Sequence, residues 1–136
     1  MKTYCRHTHC GTPAFVRKAT DHYLQGKTSR RDVARFLERH PDLDAIADKL
    51  AGQIETGRFD HQRIRYFNRV EPISGKHRVI GREAIEQQIL DHVAVLALMP
   101  LFEAKIGRWQ TASIPNRGTN DARRAIRKWI REPSSR

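Results

Sequence analysis

The chain has 136 residues, the length of one domain with a modest core, and its 26 Lys and Arg against 15 Asp and Glu give a formal charge of +11. That balance points to polyanionic partners, with nucleic acid first and an anionic membrane surface as the rival. No run approaches the roughly 18 continuous apolar residues of a spanning helix, and the start "MKTYCRHTHCGTP" lacks a signal-peptide apolar core, so a soluble cytoplasmic protein with no membrane partner is expected.

Residues 1–11 read as a flexible tail. It holds the only two cysteines, in "CRHTHC", where Cys5, His7, His9 and Cys10 are all chemically able to bind zinc. No second Cys or His pair follows at a distance, so the preferred reading is a polar tail with reduced thiols and no metal. Metal binding by these four stays open. The alternative, a small zinc module or metal-dependent enzyme, is decided by elemental analysis.

Thr12-Pro13 resembles an N-cap followed by proline at the first helical position, and Phe15, Val16, Ala19 and Tyr23 then share a face. A helix over about 13–25 is predicted, ended by Gly26. The next, in "TSRRDVARFLERHP", has Ser29 and Asp32 at capping-box spacing, an apolar stripe of Val33, Phe36 and Leu37, and Pro41 as its stop. Leu43, Ile46, Ala47, Leu50 and Ile54 mark a third helix, with Gly57 as its C-terminal cap. The segment 13–56 is thus read as a helical bundle.

After "GRF" the period changes. In "QRIRYFNRVEPIS", Ile64, Tyr66 or Phe67, and Val70 alternate roughly with Arg63, Arg65 and Arg69, which suits a strand with one wet basic face. Ser74-Gly75 is read as the turn, "KHRVIG" as the partner strand, and Pro72 as an edge residue that weakens the ladder. A hairpin over about 62–81 follows. Ile85, Ile89, Val93 and Leu96 then predict a long helix over about 83–106, broken at Pro100.

"RWQTASIPNRGTN" reads as loop, and "NDARRAIRKWIRE" as a last helix over about 120–132. At about 100° per residue, Ala122, Ile126, Trp129 and Ile130 fall on one side, with Arg124, Arg127, Lys128 and Arg131 nearly opposite. From residue 105 onward there are nine Lys or Arg and only two acids, Asp121 and Glu132, a net +7 that exceeds half the charge of the chain. The fold class is α+β and mainly helical, with residues 12–136 expected as one domain.

No catalytic constellation is visible. No nucleophile motif or Walker-type loop is present, and in Asp60-His61 and Asp91-His92 adjacent side chains point in different directions. The basic features carry more: a cationic helix face, a "PNRGTN" loop before a helix start, and a basic hairpin are three ways to meet phosphate.

Their order resembles the fingers region of a reverse transcriptase of the bacterial, phage and diversity-generating-element kind, over about residues 28–131. The segments that carry the resemblance are "GKTSRRDVARFLE" through "IADKLAGQIETGRF", the pair "IRYFNRVEPISGKHRVIG", the helix "REAIEQQILDHVAVLALMPLFEAKI" and "WQTASIPNRGTNDARRAIRKWI". "GKHRVIG" and "ASIPNRGTNDARRAI" are the most specific, being similar to the family's first two conserved blocks. The resemblance implies that Arg78, with Lys76 as second cation, meets the triphosphate of an incoming nucleotide, and that Arg117 and Gly118 lie near template and nucleotide. Arg124, Arg127, Lys128 and Arg131 would form a secondary nucleic-acid surface.

The helix after the hairpin reads "EAIEQQ" and lacks the family's Arg-x-x-Gln pattern at Gln87 and Gln88. The chain also stops at "PSSR", before the family's metal-binding aspartates, so palm and thumb are expected to be absent. Template-primer RNA or DNA and a nucleoside triphosphate are the implied partners, with polymerisation not expected of this chain alone. No cofactor is assigned to it, since Mg2+ belongs with a palm. A truncated enzyme, a decayed gene product and a split-enzyme subunit that binds a palm-bearing polypeptide all fit. Self-association through apolar surface around Trp129 and Ile130 is expected, and the alternative function is a stand-alone basic nucleic-acid-binding module of a bacterium or phage.

Overall fold

A computed structural model describes residues 4–107, 110–111 and 117–131. Among them are five helices and a two-stranded antiparallel hairpin, a mainly helical α+β arrangement. Two compact units are distinguished, Met1–Met99 and Pro100–Arg136.

Within the first unit, α1 spans Pro13–Leu24 and is capped as its sequence predicts: the Thr12 hydroxyl accepts from the Phe15 N–H at 3.4 Å, with Pro13 opening the helix. The preceding residues, read as a tail, form turns, and Cys10 packs against the core. Helix α2, Arg31–Arg39, starts differently from the prediction. Its N-cap is Arg30, with no side-chain cap. Asp32 does not reach back to a Ser29 capping box because its two oxygens accept from Arg30 Nε at 3.2 Å and Nη2 at 2.7 Å. A forked, charge-assisted pair is stronger than one neutral N–H contact.

Helix α3, Leu43–Thr56, is capped by Asp42, which accepts from the Asp44 and Ala45 N–H groups at 2.9 and 3.1 Å. It ends at Gly57, whose φ of 65° is the left-handed conformation that favours glycine. Helices α1 and α3 pack together, and Val16, Ala19, Val33, Leu50 and Ile89 are wholly buried in the shared core. Burial of the Val, Leu and Ile side chains among them, about 1.5–3 kcal/mol each, is the main source of stability here.

Strands β1, Arg65–Val70, and β2, His77–Arg82, form a ladder of six pairs that runs from Arg65 opposite Arg82 to Val70 opposite His77. The expected two-residue turn at Ser74-Gly75 is replaced by a six-residue connection, 71–76. It is closed by Glu71 N–H to the Lys76 carbonyl and Gly75 N–H to the Glu71 carbonyl, each 2.9 Å. Pro72 lies in this connection and not in a strand; with no N–H it cannot extend the ladder. Gly75 takes a φ of 67°.

Helix α4 spans Ile85–Lys105 and runs through Pro100 without the predicted break. Proline removes one backbone donor, and the turns on either side keep their own bonds. The division between the two units nevertheless falls at this residue. Glu86, Ile89 and Val93 of α4 are buried. By length and composition alone α4 could cross a membrane, with mean hydropathy 1.2 over its most apolar window; Val95 and Leu98 on it are exposed. In the second unit, α5 covers Thr119–Arg131 and has no buried residue.

Candidate nucleic-acid interface

Side chains alternate between the two faces of a strand, so cross-strand partners share a face. The register therefore gathers Arg65 with Arg82, Phe67 with Ile80, and Arg69 with Arg78 on one side of the hairpin. Two arginine pairs flank one apolar pair. Like charges placed directly opposite destabilise a ladder, so each pair calls for a nearby anion to offset it. Every residue of the two strands is exposed except Ile80, which is half-buried.

Two of the four arginines are restrained. Arg82 lies over the Phe67 ring at 4.9 Å and donates to Asp32 at 3.3 Å, which ties the base of the hairpin to α2. Arg78 donates to Glu71 at 3.1 Å. The Ser74 hydroxyl, and after it Arg78, hold the Glu71 carboxyl below the ordinary carboxylate range. Arg65 and Arg69 form no ion pair among the described residues.

Of the expected triphosphate pair, Arg78 is thus on the arginine face of β2, while Lys76 is the last residue of the connection and not a strand residue. The sequence showed Arg65 and Arg69 on a basic face but did not nominate them or Arg82 as site residues. Their pairing depends on register, which depends on the length of the connection.

In the second unit, Arg117 Nη1 donates to the Gly107 carbonyl at 3.0 Å, and the Gly118 carbonyl accepts from Ala122 N–H at the start of α5. Residues 112–116 of the same block lie outside the described residues. Arg124, Arg127, Lys128 and Arg131 are exposed on α5, as are Ile126, Trp129 and Ile130.

Elsewhere in the first unit, the Lys49 ammonium reaches the buried Glu86 at 2.9 Å, and Gln62 donates to the same oxygen at 3.0 Å. Lys49 is pushed above its ordinary value, chiefly by the hydrogen bond to Glu86. Asp60 accepts from Gln53 at 2.9 Å, so it belongs to this structural network and not to a pair with His61. His92 packs against Tyr23 at 5.3 Å, and its Nδ1 lies 3.0 Å from the Gln88 carbonyl oxygen. A cleft of about 590 Å³ brings together Cys10, His61, Glu83 and Asp91 beside apolar Ile54, Phe59 and Leu90. Asp91, through a hydrogen bond and then its charge, pushes Glu83 up. No group of three or more His, Cys, Asp or Glu among the described residues is arranged to hold a metal ion. No protein-family model, no curated protein and no solved structure matches the chain.

Proposed function

We propose that this chain is the fingers-like part of a reverse transcriptase, where it binds template nucleic acid and the phosphates of an incoming nucleotide. The observation that carries the reading is the exposed face on which Arg65 opposes Arg82 and Arg69 opposes Arg78. Guanidinium groups are suited to phosphate because their planar forks donate two parallel hydrogen bonds. The family assignment is supported by the resemblance of "GKHRVIG" and "ASIPNRGTNDARRAI" to its first two conserved blocks. The role proposed here is binding and charge neutralisation; phosphoryl transfer and its Mg2+ would be supplied by a palm.

A second reading, a stand-alone nucleic-acid-binding module, is favoured by α5, whose five cations, Arg123 among them, are all exposed. One experiment separates the two. Substitution of Lys76 and Arg78 by Ala should weaken binding of a fluorescent nucleoside triphosphate more than binding of an RNA oligonucleotide. An equal effect on both removes the triphosphate role. Substitution of Arg124, Arg127, Lys128 and Arg131 by Ala should spare most of the RNA affinity; loss of nearly all of it would favour the stand-alone module.

A further inference from the structure

The face of the hairpin opposite the arginines has a feature that a charged surface does not require. Tyr66 stands opposite Gly81. A Cβ at position 81 would lie 3.0 Å from Tyr66 Cε1 and 3.1 Å from Ile64 Cγ2. The Tyr66 ring therefore lies across the bare Cα of Gly81. Gly81 is not among the glycines with positive φ, so its backbone conformation is open to other residues, and it is the ring that needs the missing side chain.

A ring laid over a strand glycine is ordinarily a packing device. Packing explains little here, because Tyr66 remains 69% exposed. Beside it is a hollow of about 370 Å³, lined by Ile64, Tyr66, Gly81, Arg82, Glu83 and Gln88. Gln88 is oriented by two hydrogen bonds, accepting from the Tyr23 hydroxyl at 3.0 Å and donating to the Glu83 carbonyl at 2.8 Å. Its amide keeps one N–H and one lone pair free of those bonds. The hollow thus has an aromatic wall and a fixed donor and acceptor, while the Arg82 guanidinium is engaged with Phe67 and Asp32.

We infer that Tyr66, held flat by Gly81, is a stacking platform for an unpaired nucleobase of single-stranded nucleic acid. The inference rests on the nucleic-acid reading above and specifies which form of nucleic acid this hairpin takes. Bases in a duplex already stack on one another, whereas an unpaired base gains a partner in the ring, and every base has a face to offer. RNA and single-stranded DNA share this chemistry.

The test uses the full chain and fluorescence anisotropy with labelled single-stranded RNA, single-stranded DNA, the same DNA bearing abasic sites, and a duplex. Heparin serves as a polyanion without bases. Tyr66→Ala should weaken both intact single strands about five- to a hundredfold and leave the abasic strand, the duplex and heparin unchanged. Tyr66→Phe should retain wild-type affinity, and Gly81→Ala, which displaces the ring, should resemble Tyr66→Ala. The inference is overturned if Tyr66→Ala binds intact strands as the wild type does, or if it loses intact strands and heparin equally. A wild-type chain that binds none of these nucleic acids overturns the parent reading and this one with it.

Discussion

Glu71 restrains an arginine that the proposed function needs, and Glu71→Gln tests that restraint. Its Oε2 accepts from both the Ser74 hydroxyl and Arg78 Nη2, while the connection is closed by backbone bonds that the substitution leaves in place. The variant thus removes one negative charge from the arginine face and keeps the shape of the loop. If Arg78 is freed to meet one phosphate, single-strand affinity should rise at low salt, and the log–log slope against salt should steepen by about 0.7. Over a tenfold rise in salt that is a further loss of about fivefold, well within the resolution of anisotropy titrations. Acid should act on the wild type as the substitution does. The Glu71 carboxyl sits below its ordinary 4.5, so it contributes stability above that value and loses it as pH falls through the lower folded-state value. Protonation there releases Arg78, and the glutamine variant should lack the effect. A variant with unchanged affinity and slope, and an intact hairpin by hydrogen exchange, would refute the restraint.

Asp32→Asn should lower stability at neutral pH by about 1 kcal/mol and speed hydrogen exchange in β2, because Asp32 accepts from Arg30 and Arg82. Hydrogen bonding to Arg30 depresses the Asp32 carboxyl below its ordinary 3.8, so its contribution is present above that value and lost as pH falls through the lower one. The asparagine variant should show a flatter acid limb in urea unfolding. Leu50→Ala, at a wholly buried core position, should cost about 2–5 kcal/mol with little change in m value.

What could be read from the sequence followed the distance over which the deciding interactions act. Thr12 and Pro13 at the start of α1 and Gly57 at the end of α3 act within a few residues, and their prediction held. The Ser29–Asp32 box is equally local, yet the Arg30 side chain took the same carboxylate. The hairpin connection shows a subtler limit. A two-residue turn at Ser74-Gly75 would place Arg69 opposite Ile80; the longer connection places it opposite Arg78. A shift of two residues keeps each side chain on its face, so the basic face was legible while its arginine pairs were not. Tyr66 over Gly81 was hidden for the same reason. The convergence of Cys10, His61, Glu83 and Asp91 depends on packing between distant segments, and no local pattern announces it.

A two-stranded hairpin standing alone is marginal in water, and this one carries two opposed arginine pairs as well. It persists because its base is fastened to the bundle. Arg82 binds Asp32 on α2, and Gln88 of α4 joins the Glu83 carbonyl to Tyr23 of α1. Those attachments lie at the Arg65–Arg82 end of the ladder, whereas Arg69, Arg78 and the connection with Lys76 lie toward the other. Stability is therefore supplied where the hairpin meets the core, and at the far end the Arg69–Arg78 pair is offset by Glu71 through Arg78. In a hairpin selected only for stability, one member of the Arg69–Arg78 pair would be expected to be an acid or a β-branched residue. Under the proposed function, a polyanion on this face would offset that like-charged pair.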